Sequence, residues 1–176
     1  AVGGGIRNME HIESTLKAGA EKVIINTEAI INPQIIKEAS SFFGRQAIIV
    51  SIDVKKNIFG NFYVYTKNGT KSTGFNPLSF SELAEMNGAG EIFVTSIDRD
   101  GTYKGYDIEL IKSISEKLEI PVIANGGASK IDDFRIAWEE GNAFASAAGS
   151  LFTFHGKKRA VLISYPQRDK LRKLFT

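Results

Sequence analysis

Three carboxylates and two glycine pairs are the residues of this chain best suited by type and spacing to do chemistry. Asp53 closes the apolar run AIIVSID (residues 47–53), and Asp98 and Asp100 close another in SIDRDGT. An acid at the end of an apolar strand is partly desolvated, which lifts its pKa toward the range useful for general acid–base work. Plainer roles stay open for each: the N-cap of a following helix, or, for Asp100 before Gly101, a turn. Asp53 is followed by an alternating segment rather than a helical one, so capping explains it least well. The pairs Gly4-Gly5 and Gly126-Gly127 could bring backbone N–H groups against phosphate oxygens, with a helix N-terminus adding partial positive charge. They also suit tight turns that need a positive φ.

The elements that must position these residues come from a repeat. The two glycine pairs lie 122 residues apart, and the run from each to the next glycine, Gly19 or Gly141, has the same length. Each copy reads as strand end, glycine turn, amphipathic helix, glycine cap and new strand, which points to an internally duplicated β/α protein. Six short apolar runs alternate with helical patterns: a stub at residues 1–2, then 22–26, 47–53, 91–98, 121–125 and 143–147. Rich in Val and Ile without polar alternation, they predict parallel strands buried on both faces. Ile12 with Leu16, then Ile35 and Ile36 with Ala39, then Ile108, Ile111, Ile114 and Leu118 predict helices packed on a core. Asn32-Pro33 and Asn76-Pro77 read as helix starts. Residues 54–75 hold the alternating segment 61–66 and the pair Asn68-Gly69, predicting a β-hairpin inserted after the strand ending at Asp53.

Four units per repeat imply about 244 residues for a full duplicated chain, close to the ~250 of an eight-fold β/α barrel. The expected fold is α/β, a (βα)8 TIM barrel of which residues 1–176 form a single partial domain holding about the last six units. A doubly wound open sheet is the competitor, and it does not predict a half-length repeat. In a barrel the active site lies at the C-terminal ends of the strands. That rule selects the turn at 3–5, Asn26, Thr27, Asp53, Asp98, Asp100, Gly126, Gly127, Gly149 and Ser150.

Composition narrows the function. A net charge of +2 is too small to argue for nucleic acid or a membrane surface. No apolar run approaches the ~20 residues needed to span a bilayer, and no secretory signal pattern opens the chain. With no cysteine, thiolate catalysis and Cys-based metal sites are excluded, and His11 and His155 are too isolated to form a metal cluster. We therefore expect no metal, no cofactor and a cytoplasmic location. Lys22 and Glu91 each open a strand, where a solvated ion pair worth little is the default reading. Ile131, Phe134 and Trp138 at helical spacing read as core. The tail carries Lys157, Lys158, Arg159, Arg168, Lys170, Arg172 and Lys173, which read as a solvated face, with a polyanion or partner contact as the alternative.

The motifs VGGGIR, AGAEKVIINTEAI, NPQII, VSID, GAGEIFVTSIDRDGTYKGYD, PVIANGGA and AAGSLF, in this order, resemble the cyclase subunit of imidazole glycerol phosphate synthase (HisF), from residue 1 to about 154. That family is an eight-fold β/α barrel with a two-fold repeat. The resemblance implies a lyase in which ammonia from a glutaminase partner crosses the barrel and attacks a bis-phosphorylated phosphoribulosyl-formimino carboxamide ribonucleotide. The products are imidazole glycerol phosphate, for histidine biosynthesis, and an aminoimidazole carboxamide ribonucleotide. It implies acid–base work for Asp53, with Asp100 assisting. Gly5, Asn26 and Thr27 match one phosphate site, and Gly101, Gly127, Gly149 and Ser150 match the other. Lys22 and Glu91 match two members of a charged ring where ammonia enters. Two departures stand out. Asn125 replaces a usual serine, and the tail does not continue as the expected last helix. The tail resembles instead a HisF-like branch associated with surface-glycan synthesis, in which the barrel supplies ammonia for amidating a sugar.

Overall fold

The computed structural model describes residues 1–156 and 158–175, so Lys157 of the basic tail lies outside the described residues. The elements are β1 (Val2–Gly3), α1 (Met9–Lys17), β2 (Val23–Ile25), α2 (Thr27–Ile31), α3 (Gln34–Phe43), β3 (Ile48–Lys56), β4 (Phe62–Thr66) and β5 (Lys71–Ser72). They continue as α4 (Pro77–Met86), β6 (Glu91–Ser96), α5 (Ile108–Ser115), β7 (Val122–Asn125), α6 (Asp132–Glu139), β8 (Ala145–Ala147), α7 (Ser150–Thr153), β9 (Phe154–His155), β10 (Ala160–Val161) and α8 (Arg168–Arg172).

Six strands lie side by side in the order β1-β2-β3-β6-β7-β8, and every neighbouring pair is parallel. Spatial order therefore follows chain order without reversal, which removes the doubly wound alternative, whose order reverses at a switch point. All six runs picked out in the sequence are strands of this sheet. Asn76 caps α4 as expected, its Oδ1 accepting from the N–H of Leu78 at 2.9 Å and of Ser79 at 3.3 Å, with Pro77 in the first turn. The expected start at Asn32-Pro33 shifts by one residue: α3 begins at Gln34, and the Asn32 carbonyl, not its side chain, accepts from Ile35 at 3.1 Å. The short α2 had no sequence signal of its own.

Burial differs between the two faces of the sheet, and this corrects the expectation of strands buried on both. On one face Val23, Ile25, Ile52, Ile92, Val94, Val122 and Ala124 are buried, packed with Ile12, Ile36, Phe80, Leu110, Ile111 and Ile114 from the helices. On the other, Ile24, Asp53, Phe93, Thr95, Ile123 and Asn125 are only half-buried. The apolar run hid this alternation because Ile, Phe and Thr fill the second face as readily as the first. β3, in the middle of the sheet, is buried on both faces over its first five residues. Trp138 also departs from expectation: it is 47% exposed and stacks edge-on with Phe175 at 5.6 Å, whereas Phe134 on the same helix is buried.

The hairpin expected after Asp53 is present, but the strand does not end there. β3 runs on to Lys56 and pairs antiparallel with β4, Asp53 facing Tyr65 in the ladder, and β4 pairs in turn with β5. Lys67 and Asn68 take φ of 52° and 54° at the β4–β5 turn, the left-handed geometry that Asn-Gly pairs favour. The tail forms the β9–β10 hairpin and the short α8 in place of a long last helix.

Candidate functional site

The sheet register explains how Asp53 is held. Asp53 pairs with Thr95, Thr95 with Asn125, and Asn125 with Ala147, so these four residues form one row across β3, β6, β7 and β8. Side chains within a row point to the same face, and adjacent strands lie about 4.8 Å apart. Asp53, Thr95 and Asn125 therefore stand together on the half-buried face, Asp53 about 10 Å from Asn125. Asn125 donates its Nδ2 to Thr95 Oγ1 at 3.1 Å. One level toward the N-terminal ends, Asn26 donates to Ser51 Oγ at 3.3 Å and Thr27 to Asn26 Oδ1 at 3.1 Å. Thr95 and Ser51 were missed in the sequence: a two-residue step back from Asp53 would have found Ser51, whereas Thr95 is singled out only by the β6–β7 register.

Asp53 is paired on both sides, with Thr95 in the parallel ladder to β6 and with Tyr65 in the antiparallel ladder to β4. Burial pushes its carboxyl above the ordinary carboxylate value. The Asn26 side-chain amide opposes that rise and the charge of Asp100 adds to it. A carboxyl so placed can hold a proton closer to neutrality than a surface acid can. Asp98 has a different occupation. It is exposed, and its Oδ2 accepts from the Lys56 N–H at 2.8 Å, pinning the β3 extension to the loop after β6.

The remaining sequence-selected residues gather in two clefts at the C-terminal end of the sheet. A groove of about 760 Å³ is lined by Gly4, Gly5, Asn26, Thr27 and Asp53, with Arg7 beside them. A second cleft, of only about 10 Å³, is lined by Asp100, Gly101, Gly127, Gly149 and Ser150, together with Asn125. Both glycine pairs have the positive φ expected of them: 104° and 71° for Gly4 and Gly5, 89° and 105° for Gly126 and Gly127. The expected helix-terminus contribution is not there. α1 and α6 begin four and five residues beyond the pairs; the first turn of α1 is already capped, and the Asp133 carboxylate of α6 is taken up by the loop before that helix. Asn8 Oδ1 accepts from His11 at 2.9 Å, and Asp133 Oδ2 accepts from the N–H groups of Ser129 and Lys130 at 2.7 and 3.1 Å. What the second turn offers instead is the buried backbone at Gly127 and Ala128, whose N–H groups have no acceptor among the described residues.

At the opposite, N-terminal end of the same face, Lys22 and Glu91 form an ion pair across the intervening β3. Glu91, Phe93 and Thr95 follow one another up the half-buried face of β6, so this ion pair lies about 13 Å below the Asp53 row.

The chain is similar in sequence to known proteins along most of its length. A Pseudomonas aeruginosa protein named "Putative imidazole glycerol phosphate synthase subunit hisF2" is 46% identical over 169 residues, covering 96% of this chain and 67% of its own. The imidazole glycerol phosphate synthase subunit HisF of Sulfolobus acidocaldarius is 52% identical over 133 residues, covering 76% of this chain and 53% of its own. That of Alkaliphilus metalliredigens is 45% identical over 154 residues, covering 88% and 61%. The chain thus spans between about half and two thirds of the length of the relatives it matches. With residues 1–158 matching the family described as histidine biosynthesis protein, the chain belongs to that family.

Proposed function

We propose that this chain is the larger part of an imidazole glycerol phosphate synthase cyclase. On this reading the six parallel strands form one partial domain of an eight-fold β/α barrel, closed by two further β/α units between the free edges of β1 and β8. The half-buried face of the sheet is then the barrel interior. Ammonia released by a glutaminase partner enters beside the Lys22–Glu91 pair, travels about 13 Å along Phe93 and its neighbours, and emerges at the Asp53 row. The bis-phosphorylated ribonucleotide spans the C-terminal end, one phosphate at Gly5, Asn26 and Thr27, the other at Gly101, Gly127, Gly149 and Ser150. Asp53 exchanges protons with the reacting carbons and nitrogens, and Asp100 tunes it by charge. No cofactor takes part, and the enzyme works in the cytoplasm.

The observation that carries this reading is the placement of Asp53. It is half-buried, its pKa is raised by that burial, it faces the interior side of the sheet, and it shares a groove with Gly5, Asn26 and Thr27. The test is to supply full-length protein with an ammonium salt and the ribonucleotide. Formation of imidazole glycerol phosphate supports the reading, and no product in the presence of folded protein rejects it. Residues 1–176 by themselves leave two strand edges unpaired, and we expect no turnover from them.

One observation favours a second reading. The tail forms a hairpin, and the hisF2-named relative aligns over 96% of this chain, against 76% for the Sulfolobus protein. A HisF-like barrel that passes ammonia to a sugar-amidating enzyme would fit that difference. Deleting the gene separates the two: histidine auxotrophy supports the cyclase, and a lost glycan modification with normal growth lacking histidine supports the second.

A further inference from the structure

The second cleft contains an acid and no base among the described residues that line it. Among the residues lining it, Asp100 carries the only formal charge, and the nearby Arg99 turns its guanidinium away to the Lys104 carbonyl at 3.0 Å. A phosphate dianion placed there would meet a like charge with only backbone dipoles to offset it. The missing cation comes from the tail. Arg159, on the hairpin between β9 and β10, donates a guanidinium N–H to the carbonyl of Gly101 and lies over the ring of Tyr103 at 5.5 Å. Tyr103 in turn donates its hydroxyl to the Ser150 carbonyl at 3.1 Å. A methyl group placed on Gly101 would sit 3.9 Å from both Arg159 Nη2 and Ser150 Oγ, so the guanidinium and the hydroxyl flank the same point. Tyr103 holds a φ of 58°, unusual for an aromatic residue, and that conformation aims its ring between the tail and the cleft.

We infer that Arg159 is the cationic ligand of the second phosphate site. This rests on the proposed phosphate reading of that cleft. In the structure the cleft holds about 10 Å³, room for one water, with Arg159 bonded to the Gly101 carbonyl at its rim. A guanidinium has five donors, and a charged phosphate oxygen is a stronger acceptor than a carbonyl. Arriving phosphate takes over the guanidinium from Gly101, and Tyr103 keeps the planar group in place by stacking. The first groove already contains Arg7 among its lining residues, so each turn is served by one arginine. The basic tail, read from sequence as a solvated face, thereby gains one residue with a specific task.

The test titrates inorganic phosphate into the full-length protein and follows the backbone amides of Thr27 and Ser150 separately by NMR. In the wild type both respond. Arg159→Ala is expected to weaken the Ser150 response about tenfold and leave Thr27 within twofold. Arg159→Lys, which keeps charge but loses the stacked fork, should fall between. Lys158→Ala, removing the neighbouring charge on the same hairpin, should change neither. If Arg159→Ala leaves the Ser150 constant unchanged, or weakens both turns alike, the assignment of Arg159 is wrong while the phosphate reading survives. If phosphate perturbs neither turn in the wild type, the phosphate reading fails and the inference falls with it.

Discussion

The two glycine turns are copies of one another in sequence and are not copies in packing. Both hold positive φ at both glycines, yet a Cβ added to Gly4 or Gly5 would meet nothing within 4 Å. At Gly127 it would lie 2.3 Å from the Gly105 carbonyl oxygen and 2.9 Å from Arg99 Cβ, and at Gly126 it would lie 2.7 Å from the Ser96 carbonyl oxygen. The loop after β6 covers the second turn and donates the Gly105 N–H to the Gly127 carbonyl at 2.8 Å. The first turn opens on a groove of about 760 Å³, the second on a cleft of about 10 Å³. Glycine is thus required by backbone conformation at the first turn, and by conformation and close packing at the second. On the barrel reading, the counterpart of the covering loop belongs to the unit that precedes β1.

That difference can be broken or sharpened by substitution. The largest effect is expected from Gly127→Ala. Backbone strain and a clash with two neighbours should together lower stability by about 3 kcal/mol, read from the urea midpoint. Gly5→Ala, strained but unobstructed, should cost only about 1 kcal/mol. Equal losses at the two turns would mean that conformation alone sets the requirement.

A smaller effect tests whether the turns are alike in function despite their packing. Thr27→Ala and Ser150→Ala each remove one hydroxyl, and each should raise KM about fivefold with kcat within twofold, the worth of one hydrogen bond. A rise at one turn only would leave a single phosphate site. Smaller still is the change in stability with pH at Asp53. Burial raises its pKa in the folded chain, so the stability associated with its protonated form is fully present below the ordinary value of 3.8 and is lost as pH rises through the folded value. Above that window the buried charge is a net cost, which Asp53→Asn removes. The urea midpoint of this variant should match wild type at low pH and exceed it at pH 7, and a lower midpoint at pH 7 would overturn the assignment.

Much of the fold was legible in the sequence because the repeat set the period and each strand carried its own apolar run. The extent of β3 was not, since Val54 to Lys56 look like loop until β4 is there to pair with them. Nor was the half-burial of Phe93 and Ile123, because an apolar side chain reads the same whether or not its face is covered. Sequence also picked out residues of both clefts, the glycine pairs by the repeat, Asn26, Thr27, Gly149 and Ser150 by their place at strand ends, and Gly101 by resemblance. It could not reveal Thr95 as Asn125's partner, which needs the β6–β7 register, or Arg159, which lies 58 residues from the carbonyl it contacts.

The central claim is that Asp53 carries the proton transfers of a reaction held between the two turns. Turnover of the ribonucleotide by the full-length protein, driven by ammonium and compared between wild type and Asp53→Asn, tests it most directly. The account predicts a loss of about 10²–10⁴-fold in kcat with substrate affinity nearly unchanged. Equal turnover by the two proteins would contradict it.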